Sequence, residues 1–484
     1  MHHDRAAPVS LALINADLMP TAKNDRFWIW RDIAALWFGI VVCIPVWRIS
    51  VDLLALGLSW WQAIATICAA ALIALCALLA IAHPATKFGI ALPVLLRASF
   101  GMRGALLPTL LRSVFAASAF AAQTWLVSVA IYSVANALSF DALRGVTLPW
   151  LEVDAGQAGC FLLLWSLQLL LLRRGIDAIR RFALQAAPWL ALIGIAVLYV
   201  AQRHADGLAG LAAASAQITD AAGPARVGER FWPAFAQLLA LFTTVALIVP
   251  DFARYLRSQR EQWLGQLLVF PFALTGFAAI AIALVAASVP LFGEVVRDPV
   301  ALTLRIGGAG MALSLGALVL AALTTNVAAF AVAAGNGFSA LRPRHLSFRG
   351  GGLLTAALAL AMLAGRVRDC VFASAGSLLT LAPLLFAPVL GIVLVDYWLV
   401  RRTELHSEHL YKQVGHYSYL AGFNPRAFIA WTLGLAPALP TMLIRGGFMS
   451  ELPPQLIAVA AYGWLIGGLL AAAAYALCTS RSPH

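Results

Sequence analysis

Hydrophobic residues in this chain come in long unbroken runs, separated by short stretches that hold most of the charges. A helix needs roughly 20 apolar residues to cross a bilayer. Twelve runs meet that length closely enough to be marked as spans: about 31–56, 59–82, 104–137, 156–173, 177–201, 231–254, 262–292, 310–340, 350–366, 371–400, 425–445 and 455–478. The pattern predicts an all-α polytopic membrane protein.

Composition strengthens that reading. Of 484 residues 62% are hydrophobic and 11% charged, against about 25% charged in a soluble domain. Too little polar surface remains to cover a soluble globule, so the expected partner of the surface is the lipid bilayer. A formal net charge of +12 would suggest nucleic acid in a soluble protein. Here the basic residues sit in short loops between apolar runs, so no nucleic-acid partner is expected.

Loop charge sets the expected orientation, because Lys and Arg collect on the cytoplasmic side. With the N-terminus inside, the inner segments gather Arg5, Lys23, Arg26 and Arg31, then Lys87, Arg97 and Arg103, then Arg173, Arg174, Arg180 and Arg181. Arg254, Arg257 and Arg260 follow, then Arg342, Arg344 and Arg349, then Arg401, Arg402, Lys412, Arg426 and Arg481. The outer loops hold a much smaller set, including Arg144, Arg226, Arg297 and Arg368. Both termini are therefore expected in the cytoplasm of a bacterial-type cell, with the chain in its inner membrane. Residues 1–26 lack an apolar core, so no cleavable signal peptide is expected. Cys43, Cys68, Cys76, Cys160, Cys370 and Cys478 form no C-x-x-C pair and indicate neither a disulfide framework nor a zinc site.

Two spans echo each other. The first contains Val42-Cys43-Ile44-Pro45 and the sixth Leu247-Ile248-Val249-Pro250. Proline removes a backbone donor and clashes with the carbonyl one turn earlier. Such breaks persist at membrane depth where they line a cavity or pack against protein. Interrupted spans at matching positions of two halves point to a transporter site near the bilayer midplane, while ordinary proline kinks are the alternative.

Several motifs together resemble the nucleobase:cation symporter-1 family. They are Asn15-Ala16-Asp17-Leu18, His83-Pro84-Ala85-Thr86-Lys87-Phe88-Gly89, Arg97-Ala98-Ser99-Phe100-Gly101-Met102-Arg103-Gly104, Gln123-Thr124-Trp125, Pro250-Asp251-Phe252-Ala253-Arg254-Tyr255, Thr324-Thr325-Asn326 and Asp396-Tyr397-Trp398. The resemblance is greatest to its allantoin, uracil and hydantoin branch. It implies about 12 transmembrane helices in a leucine-transporter-like 5+5 inverted repeat, plus two C-terminal helices. The corresponding division is a tail at 1–30, repeats at 31–201 and 231–400, a final pair at 425–478 and a tail at 479–484. The implied activity is import of a nitrogen heterocycle by symport with Na⁺ or H⁺, with no other cofactor.

The family's sodium ligands fall here on the carbonyls of Gly39, Val42 and Ala321 and the hydroxyls of Thr324 and Thr325. Hard cations take oxygen ligands, and residues 321, 324 and 325 are spaced to share a helix face. Both threonines could instead bond back to carbonyls one turn earlier. In the family's substrate site, a ring is stacked by two tryptophans and hydrogen-bonded by a glutamine and an asparagine. Those positions correspond here to Ala119, Phe242, Gln123 and Phe330, so only the glutamine is retained; Cys43 joins them from the broken first span. Arg48 and Asp52, four residues apart beyond Pro45, either neutralise each other near the water or leave Arg48 to recruit an anionic solute. Asp251 and Arg254 form a second close pair expected to serve as a gate or interhelix contact.

The chemistry of an enzyme is not apparent: no nucleophile–base pair, HExxH or phosphate loop stands in a plausible setting. No pore ring suggests a channel. A transporter is the expected class. A carrier of a ring carboxylate and a transporter-like sensor remain alternatives.

Overall fold

The structure is a computed structural model that describes residues 13–138, 145–149, 151–221, 227–445 and 453–480. Arg5, Arg144, Arg226, Arg481 and the tail beyond residue 480 lie outside them. Ten described helices are long and apolar enough to cross a membrane, and two bent pairs raise the number to as many as twelve.

The first span is broken. Helix α1 (Trp30–Val41) and α2 (Ile44–Ala55) meet at a 57° bend. Pro45 opens α2, where its missing N–H costs nothing. Spans two to five are α3 (Trp60–Phe88), α5 (Leu106–Ala137), α6 (Ala155–Arg174) and α7 (Ile176–His204). The sixth remains one span, interrupted by a three-residue turn between α9 (Val227–Ala246) and the single turn α10 (Pro250–Ala253). Next come α11 (Gln259–Phe292), then α13 (Gly308–Thr325) joined to α14 (Val332–Leu341), and then α15 (Phe348–Leu360) and α16 (Gly365–Val395). The final pair comprises α17 (Pro425–Leu435) with α18 (Leu439–Arg445), and α19 (Pro454–Ser480).

The apolar-run reading did not foresee three shorter helices: α4 (Leu92–Phe100), α8 (Gly207–Ala221) and α12 (Pro299–Ile306). A two-residue hairpin, Thr147–Leu148 against Val153–Asp154, interrupts the otherwise helical chain.

Residues 326–331 between α13 and α14 form a π-helical segment. A π segment inserts an extra residue into the helical turn and is frequent at functional positions. At the other end of the molecule, α16 packs closely on α19, and α17 joins them. A side chain at Gly434 would meet Ala471, Pro388 and the Gly467 carbonyl at 2.8 Å, so only glycine permits this approach.

The N-terminal segment crosses one face of the helix bundle. Arg254 donates to the carbonyls of Asp17 (2.8 Å) and Met19 (2.5 Å) and to the Thr21 hydroxyl (3.0 Å). Tyr411 donates to Leu18 O at 2.8 Å, and Asn15 to Pro343 O at 3.1 Å. Leu18 and Trp28 are fully buried beneath this segment. Loops from both halves of the chain thereby meet on the N-terminal face.

Candidate functional site

The break in α1 changes where its carbonyls point. Cys43 N–H bonds to Val41 O at 3.0 Å instead of reaching back to Gly39. Val42 and Cys43 leave helical geometry, with ψ of 79° and 158°. The Gly39 carbonyl is thus free to accept from Thr325 Oγ1 at 2.7 Å, and Val42 O lies 3.4 Å from the same hydroxyl. Thr324 Oγ1 donates back within its own helix, to Ala321 O at 2.8 Å and Leu320 O at 3.0 Å.

Gly39 allows the approach of the two spans. A Cβ there would stand 2.8 Å from Thr324 Cβ. The result is a convergence of neutral oxygens from Gly39, Val42, Ala321, Thr324 and Thr325. Carbonyls and hydroxyls without a formal negative charge suit a monovalent cation better than a divalent one. The donor set therefore fits the expected ion, with both hydroxyls able to turn a lone pair toward it.

Two cavities flank this cluster. The larger, about 330 Å³, is lined by Gln123, Val42, Cys43 and Ala321, with apolar walls from α7 and α11. The smaller, about 80 Å³, is lined by Ala119, Phe242, Phe330, Cys43, Thr325 and Pro383. Ligand pockets typically span about 300–1,000 Å³, so the smaller space is contracted. Aromatic contacts fill its margin: Phe242 meets Phe270 edge-on at 5.2 Å, and Phe270 meets Trp37 at 4.8 Å.

The structure thus brings Ala119, Phe242, Phe330 and Cys43 around one space and turns Gln123 into the other, with Cys43 on the wall of both. Gln123 is 8% exposed. Arg48 lines neither cavity. It and Asp52 are both exposed, and among the described residues they form no ion pair. Among the described residues, no charged side chain lines either space.

Asp251 and Arg254 do not pair as expected. Asp251 instead forms a buried ion pair with Arg112, at 2.7 Å, and accepts from Leu92 N–H at 3.3 Å. Arg112 also donates to Leu247 O at 2.7 Å and Ala333 O at 3.0 Å. A buried carboxylate needs a full counter-charge and further donors. Arg112 supplies the charge from inside the third span, while Arg254 turns toward the N-terminal segment. Sequence reasoning passed over Arg112, although an arginine within a long apolar run is itself a signal of function.

Two residues of the quoted motifs, Asn326 and Thr124, meet in a buried contact that the motifs did not foretell. Asn326 Nδ2 donates to Phe120 O at 3.2 Å and to Thr124 Oγ1 at 3.0 Å. Thr124 Oγ1 lies 3.0 Å from Gln168 Oε1 and 2.7 Å from Phe120 O.

Comparison with known proteins agrees with this architecture. The family described as permeases for cytosine/purines, uracil, thiamine and allantoin matches residues 20–467. A purine-uracil permease of Arabidopsis thaliana is 32% identical over 97% of this chain and 78% of its own length. An allantoin permease of Bacillus subtilis is 31% identical over 95% of this chain and 91% of its own. A nucleobase-cation-symport-1 family transporter, solved in a closed conformation with bromovinylhydantoin bound, superposes with a TM-score of 0.75. That match is 23% identical and covers 97% of each chain, so it bears on the fold alone. A broken first span, an interrupted sixth, many apolar helices and a match along nearly the whole sequence make this chain a membrane transporter of the cytosine/purine, uracil, thiamine and allantoin permease family.

Proposed function

We propose that the protein imports a neutral nitrogen heterocycle of the uracil, allantoin or hydantoin kind, driven by sodium entering with it. The observation that carries this reading is the convergence of the Gly39, Val42 and Ala321 carbonyls with the Thr324 and Thr325 hydroxyls beside both cavities. The relatives' names support the solute class. The absence of charged lining residues among those described argues for a neutral solute over a ring carboxylate.

In this reading the solute lies against the unwound stretch at Cys43. Gln123 offers both a donor and an acceptor to a lactam-like edge. Phe242 and Phe330 lie across the Cys43 stretch in the smaller space and stack on the ring once that stretch moves aside, a contact worth about 0.5–1.5 kcal/mol beyond burial. Ala119 leaves the opposite side open. Arg48, outside both cavities, takes no part in holding the solute.

The N-terminal face then lies in the cytoplasm. It carries Arg97, Arg254, Arg342 and Arg401, and this basic bias supports an inner-side placement. The broken spans let the cation and solute be reached alternately from each side.

Uptake of labelled uracil and allantoin into proteoliposomes tests the reading. An inward sodium gradient should drive accumulation of one of them, and a proton gradient alone should not. Accumulation of neither under sodium overturns the proposed solute class, and proton-driven uptake indifferent to sodium overturns the ion.

A further inference from the structure

Asn326 directly follows the proposed cation ligand Thr325, yet its side chain points away from the ion cluster. Thr325 reaches the broken first span, while Asn326 reaches the third span on either side of Gln123. Its amide nitrogen bonds to Phe120 O, three residues before Gln123, and to the Thr124 hydroxyl, one residue after it. Two neighbouring residues on one helix therefore touch the cation site and the backbone that carries the solute's hydrogen-bonding side chain.

The contact lies in a buried network that has two ways to arrange itself. Thr124 has one hydroxyl proton. Two acceptors compete for it, Phe120 O at 2.7 Å and Gln168 Oε1 at 3.0 Å. If the proton goes to Gln168, Asn326 is the side chain that still donates to the Phe120 carbonyl, beside the helix's own Thr124 N–H. If it goes to Phe120, Gln168 Oε1 loses its donor. Asn326, Thr124 and Gln168 are each fully buried. Among the described residues, Asn326 Oδ1 and Gln168 Nε2 find no hydrogen-bond partner. Buried polar atoms left unpaired cost about 1–3 kcal/mol each, so small movements of Asn326 carry a large penalty or gain. Asn326 opens the π-helical turn at 326–331, its own N–H still bonded to Ala322 O, so the change from regular to π-helical backbone falls at this residue.

We propose that Asn326 is a positioning residue that couples cation binding to solute recognition. It transmits the placement of Thr325 to the Phe120–Thr124 turn that aims Gln123. The proposal rests on the cation site described above. Coupling of this kind is a differential stabilisation of two arrangements by the ligand. An ion that enters between the Thr325 hydroxyl and the Gly39 and Val42 carbonyls breaks the 2.7 Å bond and moves the start of the π turn. Asn326 then shifts against Thr124, and the hydroxyl proton selects its acceptor. Gln123 follows the helix turn it belongs to.

The test uses the full chain with its 6 native cysteines replaced by serine and Gln123→Cys introduced. Two quantities are read with sodium chloride and with choline chloride: the melting temperature, and the rate of maleimide alkylation at position 123. Sodium should raise the melting temperature and change the alkylation rate about fivefold or more, a common size for coupling between sites. Adding Asn326→Ala should leave the sodium-dependent melting shift in place and abolish the change in alkylation. Thr124→Val should act like Asn326→Ala, and Thr124→Ser should preserve the response. If Asn326→Ala does not fold, the Thr124 pair decides the question alone. A sodium effect on alkylation that survives Asn326→Ala or Thr124→Val overturns the coupling. A melting shift with no alkylation effect in the parent chain overturns the coupling and leaves the cation site standing. An absent melting shift overturns the cation site, and the coupling falls with it.

Discussion

The hydroxyl of Thr325 donates to the carbonyl of Gly39 across 286 residues of sequence, at 2.7 Å. The contact exists because Cys43 has abandoned its regular helical bond to that carbonyl. In the sodium reading, both oxygens turn toward the ion. Thr325→Val removes the hydroxyl while keeping the branched shape. Sodium dependence of uptake should weaken by about tenfold or more, equivalent to about 1.4 kcal/mol, while protein yield stays near normal. A sodium titration of transport measures this, and an unchanged half-saturating concentration would place the ion elsewhere.

Gly39→Ala should disable transport by a different route. The added methyl would press on Thr324 Cβ at 2.8 Å, and overpacking of this kind costs about 1–3 kcal/mol. The melting temperature should drop. Combining it with Thr324→Gly should restore stability without restoring the cation response, since a ligand is then missing. Recovery of both would show that Thr324 holds no ion.

The Arg112–Asp251 pair should be intolerant of half-removal. Arg112→Met or Asp251→Leu alone leaves a buried charge uncompensated, at about 3–5 kcal/mol. The double variant should recover much of the lost stability because no orphan charge remains. Thermal unfolding of the purified proteins checks the order, and additive losses in the double variant would refute a direct pair.

Gln123→Leu should raise KM for the solute about tenfold with little change in folding. The lost amide leaves a polar ring edge unpaired, a cost of about 1–3 kcal/mol. Transport at the normal KM would remove Gln123 from the site. Ala119→Trp with Phe330→Asn should tighten binding of hydantoins and uracil relative to the unmodified protein, which competition assays against a labelled solute would reveal.

The spans were legible in the sequence because each apolar run is long enough to cross the bilayer. The breaks at Pro45 and Pro250 were legible because proline marks them locally. The oxygen cluster at Gly39, Val42, Ala321, Thr324 and Thr325 came from the family motifs. The geometry then shows Thr324 bonding back to Ala321 within its own helix, the local alternative that spacing also allowed. Helices α4, α8 and α12 escaped because their lengths fall below any spanning signal. Arg112 and Asp251 lie 139 residues apart, and no local pattern links them. Asp251 and Arg254 are near neighbours in sequence, which made a false pairing attractive. The separation of Gln123 from the Ala119 cavity depends on how the unwound Cys43 stretch stands between them. Only tertiary packing determines that.

The tight contact among α16, α17 and α19 has a mechanical consequence. Pro388 sits against Gly434 and Gly467, so from that level onward α16 is clamped to the last two spans. Five residues earlier, Pro383 faces the small cavity, and each proline deletes one rung of the helix ladder. The tenth span is therefore built like a beam held at both ends, its start tied to the hairpin by Gly365 N–H to Leu151 O and Arg368 to Glu152 O, and weakened in between. Flexing is concentrated at the weakened section beside the cavity, while the clamped end gives the neighbouring spans a fixed post to move against.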